Sequence, residues 1–206
     1  MTNLINIVHP YTLSCEFNDG ECTFVYGGID KYEEKYKNIA DFLGKSLDNN
    51  LRVLRHDLGP TGTLRYAMMA GAICLCPYLE DVFLDDRLIK IATLEDGCPL
   101  ADKKPEKTDE KIWGDSKDLF ISHSELKELI GNPQRTFYIG GFFEACVKNM
   151  AFYQRYYYGL AGDIFVIDDL CALTNDDKTQ EVRDGLKSDG IKIISYEEAL
   201  KLIQKN

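Results

Sequence analysis

Short apolar runs rich in Ile and Val alternate along this chain with longer amphipathic segments, and this alternation constrains the fold more than any other feature. Runs of four or five such residues are typical of strands buried on both faces of a sheet. The predicted strands cover residues 4–8, 51–54, 88–92, 136–139, 164–167 and 191–194. The predicted helices cover residues 30–47, 122–130, 145–158 and 177–187, and a last helix begins at residue 195.

Strands that alternate with helices are joined by right-handed crossovers, which make the strands parallel and place helices on both faces of the sheet. The sequence therefore predicts a three-layer, doubly wound α/β fold with a mostly parallel sheet of about five or six strands. We expect residues 4–8 and 136–139 to be neighbouring inner strands. Neither a repeat nor a linker interrupts the pattern, so residues 1–206 are expected to form a single domain.

Several local signals supplement this pattern. Ser122 and Ser195 each precede a Glu by three residues, which is the capping-box pattern of a helix start. Residues 18–20 (Asn-Asp-Gly) indicate a turn, with a short return strand over 22–26. Residues 63–75 fit either a helix or a buried strand and remain unassigned, whereas the composition of residues 96–109 predicts a loop.

Charge and composition exclude several classes of protein. The chain has 24 basic and 34 acidic residues, a net charge of −10 that disfavours nucleic acid as a partner. No apolar run approaches the roughly 18 residues of a membrane-spanning helix, and the amino terminus does not resemble a secretion signal. The seven cysteines fit no disulfide or zinc spacing. We therefore expect a cytoplasmic protein that acts on a small molecule, without a cofactor and without contact to membranes.

Cys146 occupies a position that favours reactivity. It follows a predicted strand and two glycines, Gly140 and Gly141, and lies where a helix begins. Ligands of open α/β sheets bind beyond the carboxyl ends of the strands, and a helix N-terminus stabilises a thiolate and offers N–H groups to an oxyanion. A buried, unreactive cysteine is the alternative interpretation.

The segment over residues 140–147, Gly-Gly-Phe-Phe-Glu-Ala-Cys-Val, resembles the nucleophile segment of the isochorismatase-like cysteine hydrolases, which include nicotinamidases. The resemblance extends from about residue 110 to the end of the chain. It implies that Cys146 is a nucleophile that attacks an amide or related C–N bond and forms a thioester. It also implies an oxyanion hole and substrate pocket that involve Phe142, Phe143 and Phe17.

The first half of the chain departs from this family. Residues 16–21 resemble the family's Asp-Phe-x-x-Gly-Gly segment, but His9 stands where the family has the Asp that serves as general base. An imidazole is able to replace that base, since it titrates near neutral pH. The family's catalytic Lys is matched by Lys111, which lies 35 residues before Cys146, with Lys90 and Lys117 as rivals.

The family's metal-binding segment, Asp-Trp-His-Pro, is matched by Asp57-Leu58-Gly59-Pro60, in which Gly59 replaces a ligand histidine. A divalent ion needs several well-placed ligands, so we predict no metal site of this kind. His56 is interpreted as an ordinary strand-end residue.

Two functions remain open on this basis. The first is a cysteine hydrolase in which Cys146, Lys111 and His9 are catalytic. The second is a degenerate family member that acts as a binding or interaction module, which the replacements at His9 and Gly59 favour. A nucleotide-binding fold is disfavoured because no Gly-x-Gly-x-x-Gly follows the first strand. The tyrosines at 156–158 form either a homo-oligomer contact or a cover over the core.

Overall fold

The apolar runs form strands in the structure, a computed structural model. It describes residues 3–10, 15–18, 21–24, 29–58, 77–83, 85–93, 121–173 and 178–204. The strands are β1 (Asn3–Val8), β2 (Cys15–Asn18), β3 (Glu21–Phe24), β4 (Arg52–Leu58), β5 (Leu88–Thr93), β6 (Arg135–Phe142), β7 (Asp163–Ala172) and β8 (Lys192–Ile194). The helices are α1 (Ile29–Asp48), α2 (Pro77–Phe83), α3 (His123–Ile130), α4 (Lys148–Tyr157), α5 (Thr179–Ser188) and α6 (Tyr196–Ile203), and a π-helical turn over Phe143–Val147 precedes α4.

Six strands form a parallel sheet in the order β5-β4-β1-β6-β7-β8. The expected neighbours are confirmed, since Ile5 of β1 pairs with Val53 of β4 on one side and Phe137 of β6 on the other. β2 and β3 form a separate antiparallel pair around the predicted turn. The predicted α/β fold with a mostly parallel sheet is therefore confirmed.

The order of the strands creates a topological switch point between β1 and β6. From β1 the chain extends the sheet outward through β4 and β5, and it then returns to the centre to continue through β6, β7 and β8. At such a point the two connections leave in opposite directions and open a crevice at the carboxyl ends of the strands. In this chain the switch point lies beyond Val8 and Phe142, the last residues of the two strands.

Each face of the sheet is covered by a helical layer with its own hydrophobic core. α1, α2 and α6 pack on one face, and α3, α4 and α5 pack on the other. The alternation of β1 shows the division, because Ile5 and Ile7 belong to the first core whereas Leu4 and Val8 belong to the second. All six residues of β1 are buried, which explains why it is apolar apart from Asn3 and Asn6, and each large aliphatic side chain contributes about 1.5–3 kcal/mol.

Helix starts with a local signal appear where the sequence predicted them. The Ser122 hydroxyl accepts a hydrogen bond from the Glu125 N–H while the Glu125 carboxylate accepts one from the Ser122 N–H, and Ser195 and Glu198 repeat the arrangement before α6. Among the described residues, no helix is long and apolar enough to cross a membrane.

β7 is longer than its apolar run predicts. The run ends at residue 167, but the strand continues to Ala172, so Asp168 and Asp169 lie inside it rather than at its end. It continues because Gly140 and Phe142 of β6 pair with Cys171 and Ala172 after two register shifts. Such bulges let pairing resume beyond polar residues and give no clear signal in the sequence.

The opposite, amino-end edge of the sheet brings distant parts of the chain together. Arg135, the first residue of β6, pairs with Asn3 of β1. Its guanidinium Nη1 donates a hydrogen bond of 2.8 Å to the carbonyl oxygen of Leu202, in the last turn of α6. The start of β1 and the end of α6 therefore both lie beside Arg135.

Candidate active site

The π-helical turn carries Cys146 into the second core at the end of β6. The turn is bonded i to i−5 at its end, where the Lys148 N–H reaches the Phe143 carbonyl as well as that of Ala145. Its N-cap residue, Phe142, is extended and provides no side-chain cap. The first N–H groups of a helical segment have no partners within the segment itself. π-turns are frequent at functional sites.

The sequence placed the helix start near Ala145, and helical winding begins two residues earlier, at Phe143. The wider π winding accounts for the difference, because it accommodates an additional residue per turn between the strand and α4. The Cys146 side chain is 8% exposed. Cys146 and Cys171 are both thiols.

Gly140 lets β6 approach β1 closely just before this turn. Its φ is +102°, a conformation that favours glycine, and a Cβ atom placed on it would lie 2.5 Å from the Val8 carbonyl oxygen. Any other residue would push the two strands apart at the switch point. Gly140 is thus required for the close approach of the two strands.

His9 directly follows β1 and is fully buried. Its φ of +41° is in the left-handed region, which is uncommon for residues other than glycine. Its N–H donates to the His56 carbonyl at 2.8 Å, and its ring Nε2 lies 3.4 Å from the Thr93 hydroxyl at the end of β5. The imidazole therefore contacts the end of β5, while Cys146 lies on the turn that follows β6.

The phenylalanines next to Cys146 point into opposite cores. Phe142 belongs to the core under α1 and α6, and Phe143 belongs to the core under α4 and α5. The Arg183 guanidinium covers the Phe143 ring at 5.2 Å and forms an ion pair with Asp168. The side chains of Phe142 and Phe143 thus hold the turn in place from the two faces of the sheet. Phe17 lies in β2, and its side chain is outside the described part of the structure.

Of the three lysines named from the sequence, the structure describes only Lys90. Lys111 and Lys117 lie outside the described residues. Lys90 lies three residues before the end of β5, and its side chain is exposed. Lys35 of α1 was not predicted, yet its amine donates a hydrogen bond of 2.5 Å to the Cys171 carbonyl oxygen near the end of β7. Burial lowers the pKa of this amine.

Lys35 was missed because its position depends on tertiary packing. In the sequence it is one of several lysines on the amphipathic pattern of α1. Only the antiparallel course of α1 over the sheet brings its first turns to the carboxyl ends of the strands. No local motif marks such a residue.

His56 lies within β4 and is completely buried, so it is not the strand-end residue that the sequence suggested. Its ring Nε2 is 2.8 Å from Asn6 Oδ1, and burial lowers the pKa of the imidazole to about 3. The ring is therefore neutral and carries its proton on Nε2, since an amide oxygen only accepts. Among the described residues no group of three or more His, Cys, Asp or Glu side chains is arranged to hold a metal ion.

No protein-family model matches the sequence, and a comparison with curated proteins finds no match. Solved structures do match over nearly the whole chain. An isochorismatase family protein from Desulfovibrio vulgaris is 12% identical with a TM-score of 0.56, and the match covers 99% of this chain and 98% of that one. This chain has an isochorismatase-like fold.

Two further solved structures share this isochorismatase-like fold. A pyrazinamidase/nicotinamidase from Streptococcus mutans is 16% identical with a TM-score of 0.54, over 94% of this chain and all of its own. The YcaC gene product of Escherichia coli, described as an octameric hydrolase of unknown specificity, is 16% identical with a TM-score of 0.51, over 95% of this chain and 75% of its own. At these identities the likeness establishes the shared fold.

Proposed function

We propose that this protein is a cysteine hydrolase that cleaves an amide or related C–N bond of a small molecule. The observation that carries the proposal is the place of Cys146 on an uncapped π-helical turn at the topological switch point. Ligands of doubly wound folds bind at this point. Hydrolases and amidases are also among the solved structures with the same fold.

In the proposed reaction the Cys146 thiolate attacks the carbonyl carbon of the substrate. A new C–S bond forms, and the carbonyl electron pair moves to the oxygen, which the N–H groups of the π-turn stabilise. The C–N bond then breaks, the amine leaves with a proton, and a thioester remains on Cys146. Water attacks the thioester, and the acid and the thiol are released.

The remaining roles follow the family resemblance. His9 takes the thiol proton and returns it to the leaving amine, which an imidazole does well near neutral pH. Lys111 stabilises the thiolate and the oxyanion. The backbone N–H groups at Phe142 and Phe143 face the oxyanion, and Phe17 contributes to the substrate pocket.

A second candidate function is supported by the position of His9. Its ring is fully buried, and its Nε2 lies 3.4 Å from the Thr93 hydroxyl at the end of β5. A protein that kept the fold but lost the base would act as a binding module for small molecules or partner proteins. This candidate predicts a crevice that binds ligands without turnover.

The two functions are separated by turnover on a panel of small amides that includes nicotinamide. We expect Cys146→Ser and His9→Ala to abolish ammonia release while both variants keep their melting temperatures within a few degrees. Cys171→Ser is the matched control, since Cys171 is a second buried thiol and is not assigned to the reaction. It is expected to retain full turnover.

Reactivity of the thiol provides a test that does not depend on the substrate. Cys146 should react with iodoacetamide faster than the other six cysteines near pH 7. Hydrolysis of no amide, together with equal labelling of all seven cysteines, would overturn the enzyme proposal. Turnover that survives His9→Ala would retain the enzyme and reassign the base to Asp19 or Asp57.

We also propose that the protein forms a homo-oligomer. Tyr156 and Tyr157, near the end of α4, are 66% and 58% exposed, which is unusual for aromatic side chains, and tyrosine is enriched at subunit contacts. The E. coli YcaC product with the same fold is octameric. Light scattering of the wild type and of Tyr156→Ser/Tyr157→Ser tests this: a wild-type mass of a single chain contradicts it.

A further inference from the structure

A chain of buried polar side chains crosses the face of the sheet under α4. Asn6 of β1 and Tyr138 of β6 are direct cross-strand partners on this face. Both donate to one atom, Oε1 of Gln154 on α4, from Asn6 Nδ2 at 3.3 Å and from the Tyr138 hydroxyl at 2.6 Å. His56 of β4 extends the chain, since its Nε2–H donates to Asn6 Oδ1 at 2.8 Å. All four side chains are fully buried.

These hydrogen bonds have one direction. The only atoms that accept are amide oxygens, so the donors run from His56 to Asn6 and from Asn6 to Gln154, while Tyr138 donates to Gln154 from the other strand. Burial lowers the pKa of His56 and raises that of Tyr138, which keeps both donors protonated and uncharged across the physiological pH range. The network therefore keeps the same protonation across that range.

Gln154 is a polar residue in an otherwise apolar stripe of the same helix. Val147, Met150 and Ala151 are buried against the sheet at the spacing of one helical face, and Gln154 continues that face by one turn. Apolar contacts have no preferred direction, so Val147, Met150 and Ala151 specify the position of the helix less sharply than a directional hydrogen bond does. A buried amide permits only the position that satisfies both donors, and single buried polar residues are known to set helix register in this way.

The hydrogen bonds are strong enough for that role. Each contributes about 1 kcal/mol net, and a buried donor without an acceptor costs about 1–3 kcal/mol. A shift of α4 that breaks both hydrogen bonds to Gln154 would leave the Tyr138 hydroxyl and the Asn6 amide buried without an acceptor. Cys146 lies eight residues earlier on the same continuous helical segment, so any shift of α4 moves its thiol.

We propose that Gln154 is a positioning residue, which fixes α4 against β1 and β6 and thereby holds Cys146 and the π-turn at the switch point. The inference deepens the proposed function, on which the importance of the Cys146 position rests. Gln154 acts on the thiol through the helical segment that connects the two residues.

The test compares Gln154→Met, which removes the acceptor, with Tyr138→Phe, which removes one of its two donors. Met150→Leu is the matched control, because it alters the same helical face without touching a hydrogen bond. Two quantities are measured in each variant: hydrogen exchange of the amides of residues 143–150, and the pH midpoint of Cys146 alkylation by iodoacetamide.

For Gln154→Met we expect about tenfold faster exchange over residues 143–150 and an alkylation midpoint shifted toward the value of an ordinary thiol. Tyr138→Phe should show a smaller change of the same sign, and it carries the test if Gln154→Met does not fold. Met150→Leu should match the wild type. Wild-type exchange and an unchanged midpoint in both hydrogen-bond variants would overturn the proposal.

The two proposals fail in different ways. If wild-type Cys146 titrates as an ordinary thiol and no amide is hydrolysed, the proposed function is wrong. The exchange rates of residues 143–150 still decide the role of Gln154 in that case, because they do not depend on catalysis.

Discussion

Single buried residues make the stability of this protein depend on pH, and His56 is the clearest example. Its imidazole is completely buried between β1 and β5, is hydrogen-bonded to Asn6, and has a pKa of about 3 because burial disfavours the charged form. In the unfolded chain the same group titrates near its ordinary value of 6.5. The folded protein therefore excludes a proton that the unfolded chain binds.

The sign of the pH dependence follows from these two values. Between pH 6.5 and about 3 the unfolded state binds more protons, so the free energy of unfolding falls as the pH is lowered through this window. The full loss attributable to His56 is up to about 5 kcal/mol. Urea unfolding of the wild type and of His56→Gln, measured from neutral to acidic pH, should give a flatter profile for the variant. Parallel profiles would contradict the assignment.

Gly140 allows a second test at the scale of one residue. Gly140→Ala should lower the free energy of unfolding by at least about 2 kcal/mol, since the new methyl group would clash with the Val8 carbonyl oxygen at a φ that disfavours alanine. Gly185→Ala is the control: its added Cβ meets no atom within 4 Å, and α5 should gain about 0.5–1 kcal/mol. Urea denaturation measures both, and equal effects would contradict the close approach.

At the scale of elements, α6 illustrates how a helix start is fixed. Ser195 and Glu198 form a capping box, and the carboxylate oxygens of Asp169 in β7 also accept the N–H of Tyr196 at 3.0 Å. The first N–H groups of the helix thus have partners both in its own sequence and on the neighbouring strand. The Tyr196 hydroxyl further contacts Asp41 of α1, which ties two helices of the same layer together.

Removal of the Ser195 cap should lower the free energy of unfolding of the protein. Ser195→Ala is expected to lower the free energy of unfolding by about 1 kcal/mol, because the capping-box acceptor at the helix start is lost. Ser195→Asp keeps an acceptor oxygen and should remain close to the wild type. Thermal unfolding followed by circular dichroism distinguishes the two, and an equal loss in both variants would show that the box does not matter.

Elements with a local signal could be predicted from the sequence, and elements without one could not. The run over residues 4–8 marked β1 because burial on both faces demands apolar side chains, and Ser122 marked α3 because its hydroxyl serves the helix itself. The extension of β7 beyond residue 167 and the π-turn at Phe143 depend on pairing with other strands, which leaves no periodic pattern.

The same division holds for the candidate site. Cys146 was recognisable from its glycines and the strand before it. The polar chain through Gln154 was not, since an isolated Gln on a helix predicts a solvent contact and only the fold brings it over Asn6 and Tyr138. Residues that act across the sheet become visible when the strand order is known.

In the molecule as a whole, the strand order determines which part of the sheet unfolds last. β1 and β6 occupy the centre of the sheet with both cores packed on them, whereas β8 is a three-residue edge strand whose side chains are partly exposed. The candidate site is therefore built on the two strands with the most burial around them. Sites need this rigidity if a nucleophile is to keep its position.

Native-state hydrogen exchange should reveal this hierarchy. Amides of β1 and of β6 up to Ile139 are expected to exchange only through global unfolding, while amides of β8 exchange through local opening and are orders of magnitude faster. Increasing urea below the unfolding transition should accelerate the β1 amides steeply and leave the β8 amides nearly unchanged. Similar rates and similar urea dependence in β1 and β8 would contradict the hierarchy.

The meeting of Asn3, Arg135 and Leu202 at the amino-end edge of the sheet has a consequence for engineering. Both ends of the described chain emerge on the side opposite the crevice, so a fluorescent protein or an affinity tag attached at either end would project away from Cys146. The two ends are also close enough for a short linker to join them. A circularly permuted chain opened at the turn after α5 would then keep its new termini at the same amino-end edge, where β8 begins, and present the crevice unchanged.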